Sequence, residues 1–379
     1  MKTVVGLWIG AMLACGSHQA WAVTYRAVDL TPAGFVASEA HGAFGGRQVG
    51  WGEGGATGGK DHALLWSGTA SAVDLHTPSF ETSFAYGAGG GRQVGWGSFV
   101  PWGSSCHALL WSGTAASAVD LHPTGFDSSR ALGTDGAQQV GWGFGSATSG
   151  NTHALLWTGT AASAVDLSPR NYDVSYAMDA SGGQQVGWAT VPSYATHAFL
   201  WTGSADSAVN LNPPGFYRSE AYGVSGGKQV GRAWTGDVAH ALLWSGTAVS
   251  AIDLNPAGFD YSEAKGIGGD LQVGWGYGAA TGNEDHALVW ASTAASAVDL
   301  HQFLSPEFTF SHAERVDGQG NIVGWARSES GYNHAILWQA VPEPATLSLL
   351  GMGVFVALLA RACLGRRPSR GESTSGFPA

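Results

Sequence analysis

The sequence predicts an all-β fold, a seven-bladed β-propeller-like ring of four-stranded repeats about 45 residues long. Three observations predict it. Four short phrases each recur seven times between residues 28 and 338. Each phrase is a brief apolar run bounded by Gly, Ser, Thr or Pro, the mark of a short strand. Four such strands per unit match the size of one propeller blade. The Gly and Trp content and the short runs exclude a helical solenoid. A β-helix is the alternative, although its coils are usually shorter.

The four phrases are justified in chain order. The first is Val-Asp-Leu, with its acid at Asp29, Asp74, Asp120, Asp166, Asp253 and Asp299 and with Asn210 in the fifth copy. The second is Ser-x-Ala, at Ser38, Ser83, Ser129, Ser175, Ser219, Ser262 and Ser311. The third is Val-Gly-Trp, from Val49 to Val323, with Arg232 once in place of Trp. The fourth is His-Ala-x-x-Trp, from His62 to His334. Equivalent residues are 43 (Asn210 to Asp253) to 50 (Val273 to Val323) positions apart. The Asp-to-Ser interval is 9 in six copies and the Ser-to-Val interval is 11 in six copies, as constrained turns require. The Val-to-His interval varies from 10 to 13, as a surface loop allows. Gly-Gly before Gln-Val-Gly-Trp, as at Gly45-Gly46, supplies positive φ for a tight hairpin.

His-Ala-Leu-Leu-Trp runs through a Ser-Gly-Thr linker into the next Val-Asp-Leu, a hairpin across the unit boundary. The first Val-Asp-Leu and the last His-Ala-Ile-Leu-Trp are left unpartnered. They are expected to pair, closing the ring and removing its exposed edges.

The ends of the chain differ from its middle. Residues 1–22 read as a signal peptide, with Lys2, an apolar stretch from Val4 to Ala14 and an A-x-A site at Ala20-Trp21-Ala22. A lipoprotein signal at Cys15 is the alternative. Residues 23–340 form the repeat domain. Cys106 is its one cysteine, so no disulfide is expected within it. With 12% charged residues, a net charge of -11 and no basic run in the repeats, nucleic-acid binding is not expected. Residues 341–370 change character. Val341-Pro342-Glu343-Pro344 leads into an uncharged stretch, 345–360, expected to be a transmembrane helix. Arg361, Arg366 and Arg367 follow, as a cytoplasmic end requires. A polar tail, 371–379, ends the chain.

The order of Val341-Pro342-Glu343-Pro344, apolar helix and arginine cluster closely resembles the PEP-CTERM sorting signal of Gram-negative bacteria. That resemblance implies recognition by exosortase, a membrane transpeptidase, in organisms that secrete exopolysaccharide. It also implies cleavage near the Pro-Glu-Pro motif. The extra tail, Ser369 to Ala379, departs from the pattern. The repeats are similar to the HAF extracellular repeat, which His197-Ala198-Phe199-Leu200-Trp201 matches literally. That likeness implies an extracellular repeat domain and no defined activity.

The repeated polar residues read as structural. Seven histidines at equivalent blade positions point to seven places, so no metal site is expected. Asp120, Ser129, Trp142, His153 and Trp157 represent the repeated positions. By analogy with WD-repeat propellers, such residues are expected to form a network within each blade. Asp120→Ala is then expected to cost about 1–3 kcal/mol. Thirteen of the 17 tryptophans occupy two repeated positions, as core residues would. Trp102 and Trp234 fall in the variable loops and are candidate sugar-stacking residues. Glu39, Glu220 and Glu263 share one slot, which is repeat inheritance rather than a catalytic pair. Glu53, Asp61, Asp237, Glu284 and Asp285 read as scattered, solvated loop acids. No nucleophile elbow, phosphate loop or Cys-x-x-Cys occurs, so no catalytic residue and no cofactor are expected.

The expected role is that of an exported cell-surface or matrix protein, structural or adhesive, with exopolysaccharide or surface proteins as partners and the membrane as a transient one. A polysaccharide-acting enzyme and a protein–protein scaffold are the rivals.

Overall fold

A computed structural model describes residues 24–100, 105–191 and 195–341. The expected signal peptide, transmembrane helix and polar tail lie outside the described residues. So do Trp102, Pro342, Glu343, Pro344, Arg361, Arg366 and Arg367. Tyr25–Ala340 forms one compact unit, and its strands make seven four-stranded antiparallel sheets arranged as a propeller.

Each phrase of the repeat is one strand. In blade 3 the inner strand is Ser128–Thr134, the second Gln139–Phe144, the third Thr152–Trp157 and the outer Val165–Asp166. A blade therefore opens at Ser-x-Ala and ends at the next Val-Asp-Leu. The other inner strands are Phe35–Phe44, Thr82–Gly89, Val174–Ser181, Arg218–Ser225, Tyr261–Gly268 and Phe308–Val316, in blades 1, 2, 4, 5, 6 and 7. At the hairpin of blade 1, Gly45 and Gly46 take φ values of 57° and 76°, the positive pair that a type I′ turn needs.

The outer strand is two residues long in blades 2 to 6. A strand this short offers little free edge to a neighbouring chain. Blade 7 closes the ring as expected. Thr24–Asp29 joins Asn333–Val341, Ile322–Ser328 and Phe308–Val316 as the outer strand. Beyond the ladder, the Leu30 N–H donates to the Ala335 carbonyl at 2.8 Å.

The apolar core lies between blades. Trp157 of blade 3 is fully buried against Val94, Leu110 and Leu121 from blade 2 and its connection. The equivalent tryptophans, from Trp66 to Trp338, are likewise fully buried. Their role is volume. The indole N–H of Trp157 finds no acceptor, as in five of its six equivalents, and only that of Trp338 reaches a carbonyl, Leu300 at 3.1 Å. Each blade thus supplies one side of two cores, and stability is shared with its neighbours.

Candidate functional site

Two sets of residues stand toward the centre of the ring, and a backbone device places the first of them. In every blade the pairing of inner and second strand slips by one residue immediately after Ser-x-Ala. The slip is a β-bulge, which leaves one extra residue unpaired and re-aims its side chain. Opposite the bulge stands the Gly of Val-Gly-Trp. A Cβ on Gly141 would lie 1.9 Å from the Arg130 carbonyl oxygen, so only glycine fits.

The seven bulged residues are His41, Tyr86, Leu132, Met178, Tyr222, Lys265 and Glu314. With Arg315 they line one cavity of about 220 Å³ in the channel. Its wall is uneven. Leu132 and Met178 are apolar, His41 stacks on Tyr86 with centroids 4.7 Å apart, and Lys265 lies 4.5 Å from the Tyr222 ring centre. A further cavity of about 340 Å³ follows along the channel, walled by the residues after the bulges. There five blades carry Gly and blades 4 and 7 carry Asp179 and Arg315. Burial raises the Asp179 carboxyl, and Arg315 opposes that shift. The Asp179 carboxylate accepts from the Ala180 and Val224 N–H groups at 2.9 and 3.1 Å.

On the loop side of the bulges lies a belt built from the middle residue of Ser-x-Ala and the Trp of Val-Gly-Trp. The two sets interleave from blade to blade. Phe84 lies between Trp51 and Trp96, at 5.8 and 4.2 Å. Arg130 lies between Trp96 and Trp142, at 4.0 and 5.2 Å. Tyr176 follows between Trp142 and Trp188, at 5.9 and 4.2 Å, and His312 lies between Trp275 and Trp325, at 4.4 and 4.3 Å. The ring faces are satisfied by one another, so the belt reads as packing.

Blade 5 breaks the belt with charge. Arg232, standing where the other blades have Trp, ion-pairs with Glu220 (2.8 Å) and with Glu263. It also donates to the Tyr261 hydroxyl, and Tyr222 donates to Glu220. Lys265 holds the other oxygen of Glu263 at 2.6 Å. Burial alone would raise Glu263, but Lys265 and Arg232 outweigh it and hold the carboxyl below its usual range. Burial pushes Tyr222 far up, and the glutamates add to it, so the phenol stays protonated. The signal was present in the sequence. The one Trp-to-Arg replacement falls between two of the three Glu copies.

The sequence-derived residues are placed as follows. Trp234 is in the second strand Lys228–Thr235, not in a loop. It is 9% exposed and sandwiched between Arg232 (4.4 Å) and Arg218 (4.6 Å), so the loop platform expected for it is absent. Asp120 accepts from His107 Nδ1 at 2.7 Å and from the His122 N–H at 2.8 Å. His153 makes the same contact with Asp166. Ser129 takes the Ala108 N–H at 3.1 Å and bonds His122 Nδ1 at 2.8 Å. Asp and His belong to one blade and Ser to the next, so the network bolts blades together rather than closing within one. Trp142 sits in the belt and Trp157 in the core, and neither joins it. Val341 ends the last third strand.

Two of the loop acids are not free in solvent, one being paired and the other buried. Asp285 bonds His312 Nε2 at 3.1 Å. Asp61 is 3% exposed, and its Oδ1 has no partner. At this position, before the His of the third strand, other blades reach across to the belt residue of the next. Thr196 bonds Glu220 and Asn333 bonds Glu39. Asp61 faces the blade whose belt residue is Phe84, which offers nothing. Burial, then Glu53 and Glu39, push its carboxyl up to about 6.

These features define a closed, seven-bladed β-propeller with a lined central channel. Solved structures share the fold. The S511A mutant of puromycin hydrolase complexed with PGG is 13% identical, over 81% of this chain and 54% of that one, with a TM-score of 0.56. A puromycin-hydrolyzing peptidase of Mycobacterium tuberculosis is 11% identical over 81% and 52%, at 0.55. The β-propeller domain of the Trilobed protease from Pyrococcus furiosus, described as an open velcro, is 7% identical over 79% and 95%, at 0.54. The chain thus spans about half the length of the two hydrolases, and the likeness is one of fold. No curated protein matches the sequence significantly. Residues 340–367 match the PEP-CTERM protein-sorting motif, which implies an exported chain processed by exosortase.

Proposed function

We propose that the chain is a non-enzymatic propeller of the bacterial cell surface or matrix that contacts exopolysaccharide. The sorting motif at 340–367, behind a closed ring, is the observation that carries this reading. Two of the central carboxylates, Glu220 and Glu263, are held by Arg232 and Lys265, which favours a binding role for them. A general acid or base needs a carboxyl left available to its substrate. In cells, replacement of Pro342, Glu343 and Pro344 by Ala is expected to leave the chain unprocessed in the inner membrane, while the native chain appears at lower mass in the surface fraction. Identical mass and location for both would overturn the sorting part. Retention of residues 23–340 on exopolysaccharide from an exosortase-bearing strain tests the binding part, and passage in the void volume would overturn it.

A further inference from the structure

We propose that the 220 Å³ funnel formed by the seven bulged residues is a binding site for a protonated amine carried on a single sugar ring, an amino sugar with its nitrogen unacylated. The inference rests on the exopolysaccharide reading above and names the chemistry of one contact.

Seven residues of six types converge because one bulge recurs seven times. The frame around them is nearly constant, with Ser-x-Ala before and, in five blades, Gly after. A packing role would favour one residue type in all seven blades, as the third-strand tryptophans show. Here the set is His, Tyr, Leu, Met, Tyr, Lys and Glu. Diversity at a site to which every blade contributes is the mark of recognition.

The charges of the wall decide the sign of the ligand. Lys265 is engaged by Glu263 at 2.6 Å. The Arg315 guanidinium donates to the carbonyls of Lys265 (2.7 Å), Glu314 (2.9 Å) and Tyr222 (3.3 Å). His41 Nε2 lies 3.0 Å from Glu39. Glu314 is different. Among the described residues its carboxylate has no ion-pair or hydrogen-bond partner, and it is half-buried in the lining. Lys265 feels the Glu314 charge, and the half-buried carboxylate still has its oxygens free for a donor on the ligand, a charged donor most strongly. The cavity is smaller than a drug-sized pocket and suits one ring. Leu132 and Met178 offer the apolar surface that a pyranose face packs on, and the Tyr86 hydroxyl can bond a ring hydroxyl.

The test is calorimetric titration of residues 23–340, which contain the whole closed ring, with glucosamine, N-acetylglucosamine and glucose. Glucosamine is expected to bind saturably, and the two neutral sugars at least ten-fold more weakly. Glu314→Gln removes the charge at constant size and is expected to weaken glucosamine at least ten-fold. Leu132→Trp fills the funnel and is expected to abolish binding while the melting temperature is retained, which separates blockage from misfolding. Equal binding of all three sugars, undiminished binding in both variants, or no binding of glucosamine would each overturn the proposal. A Glu314→Gln chain that loses glucosamine yet is still retained on exopolysaccharide would overturn the funnel as the contact and leave the surface role standing.

Discussion

Ser129 carries more of the blade-to-blade bolt than Asp120 does, and exposure is the reason. The Ser129 hydroxyl is wholly buried and is the acceptor for the buried Ala108 N–H. Ser129→Ala therefore leaves a buried donor unpaired and is expected to cost about 1–3 kcal/mol in urea unfolding. The Asp120 side chain is 49% exposed, and water can replace it. Asp120→Ala is expected to cost about 1 kcal/mol or less, below what the sequence alone suggests. Asp61 acts in the opposite direction. Its carboxyl titrates near 6 in the folded chain against an ordinary value of 3.8. The unfolded state therefore ionises first as pH rises, and folding loses stability between those two values. Asp61→Asn is expected to raise stability by about 1–2 kcal/mol at neutral pH and to change nothing below about pH 4. Equal gains at both pH values would exclude ionisation as the cause.

At the scale of the element, blades 1, 2 and 6 carry a second histidine just past the outer strand, two residues after the Asp. His76 stacks on His62, His122 on His107 and His301 on His286, with centroids 3.8 to 4.1 Å apart. Burial first, and then the charge of the stacked partner, lower His76, His122 and His301. Other charges face them. Asp74, Glu81 and Lys60 surround the first, Asp120 and Asp127 the second and Asp299 the third. A base with a depressed folded pKa gives stability that is full above its unfolded value, about 6.5, and is lost as pH falls from there. Blades 4 and 5 use Asn212 and Asn255 at this place, bonded to the same Ser. The triple change His76→Asn, His122→Asn and His301→Asn is expected to flatten the fall in melting temperature between about pH 7 and pH 5. An unchanged slope would assign that fall to the carboxylates. The four strands of a blade were legible because each carries a repeated phrase. The bulge was not, since it needs the register of two strands. Its residues, His41 and Glu314 among them, hid at a variable position within a constant frame. Trp234 misled because the strand in blade 5 extends to Thr235, and a pattern cut at Val-Gly-Trp ends too soon.

For the whole molecule, the ring and its closure could be read from two unpartnered phrases at opposite ends of the repeat array. The channel contents could not, because they depend on which faces turn inward once seven sheets are joined. Removal of Thr24–Asp29 strips blade 7 of its outer strand and exposes the edge of Asn333–Val341. The shortened chain is expected to unfold at lower temperature and to form concentration-dependent oligomers in light scattering, since an open edge templates pairing. A monomer of unchanged stability would show that closure contributes little.

The shared blade also sets a clock. The strand contributed by Thr24–Asp29 leaves the ribosome first, and its partner, Asn333–Val341, is made 300 residues later. Six blades can assemble as they emerge, but the seventh waits for the final stretch. Closure of the circle thus reports that synthesis of the ring has reached its end, immediately before the segment that carries the sorting motif. A chain interrupted before that stretch lacks both the last strands of the ring and the sorting motif.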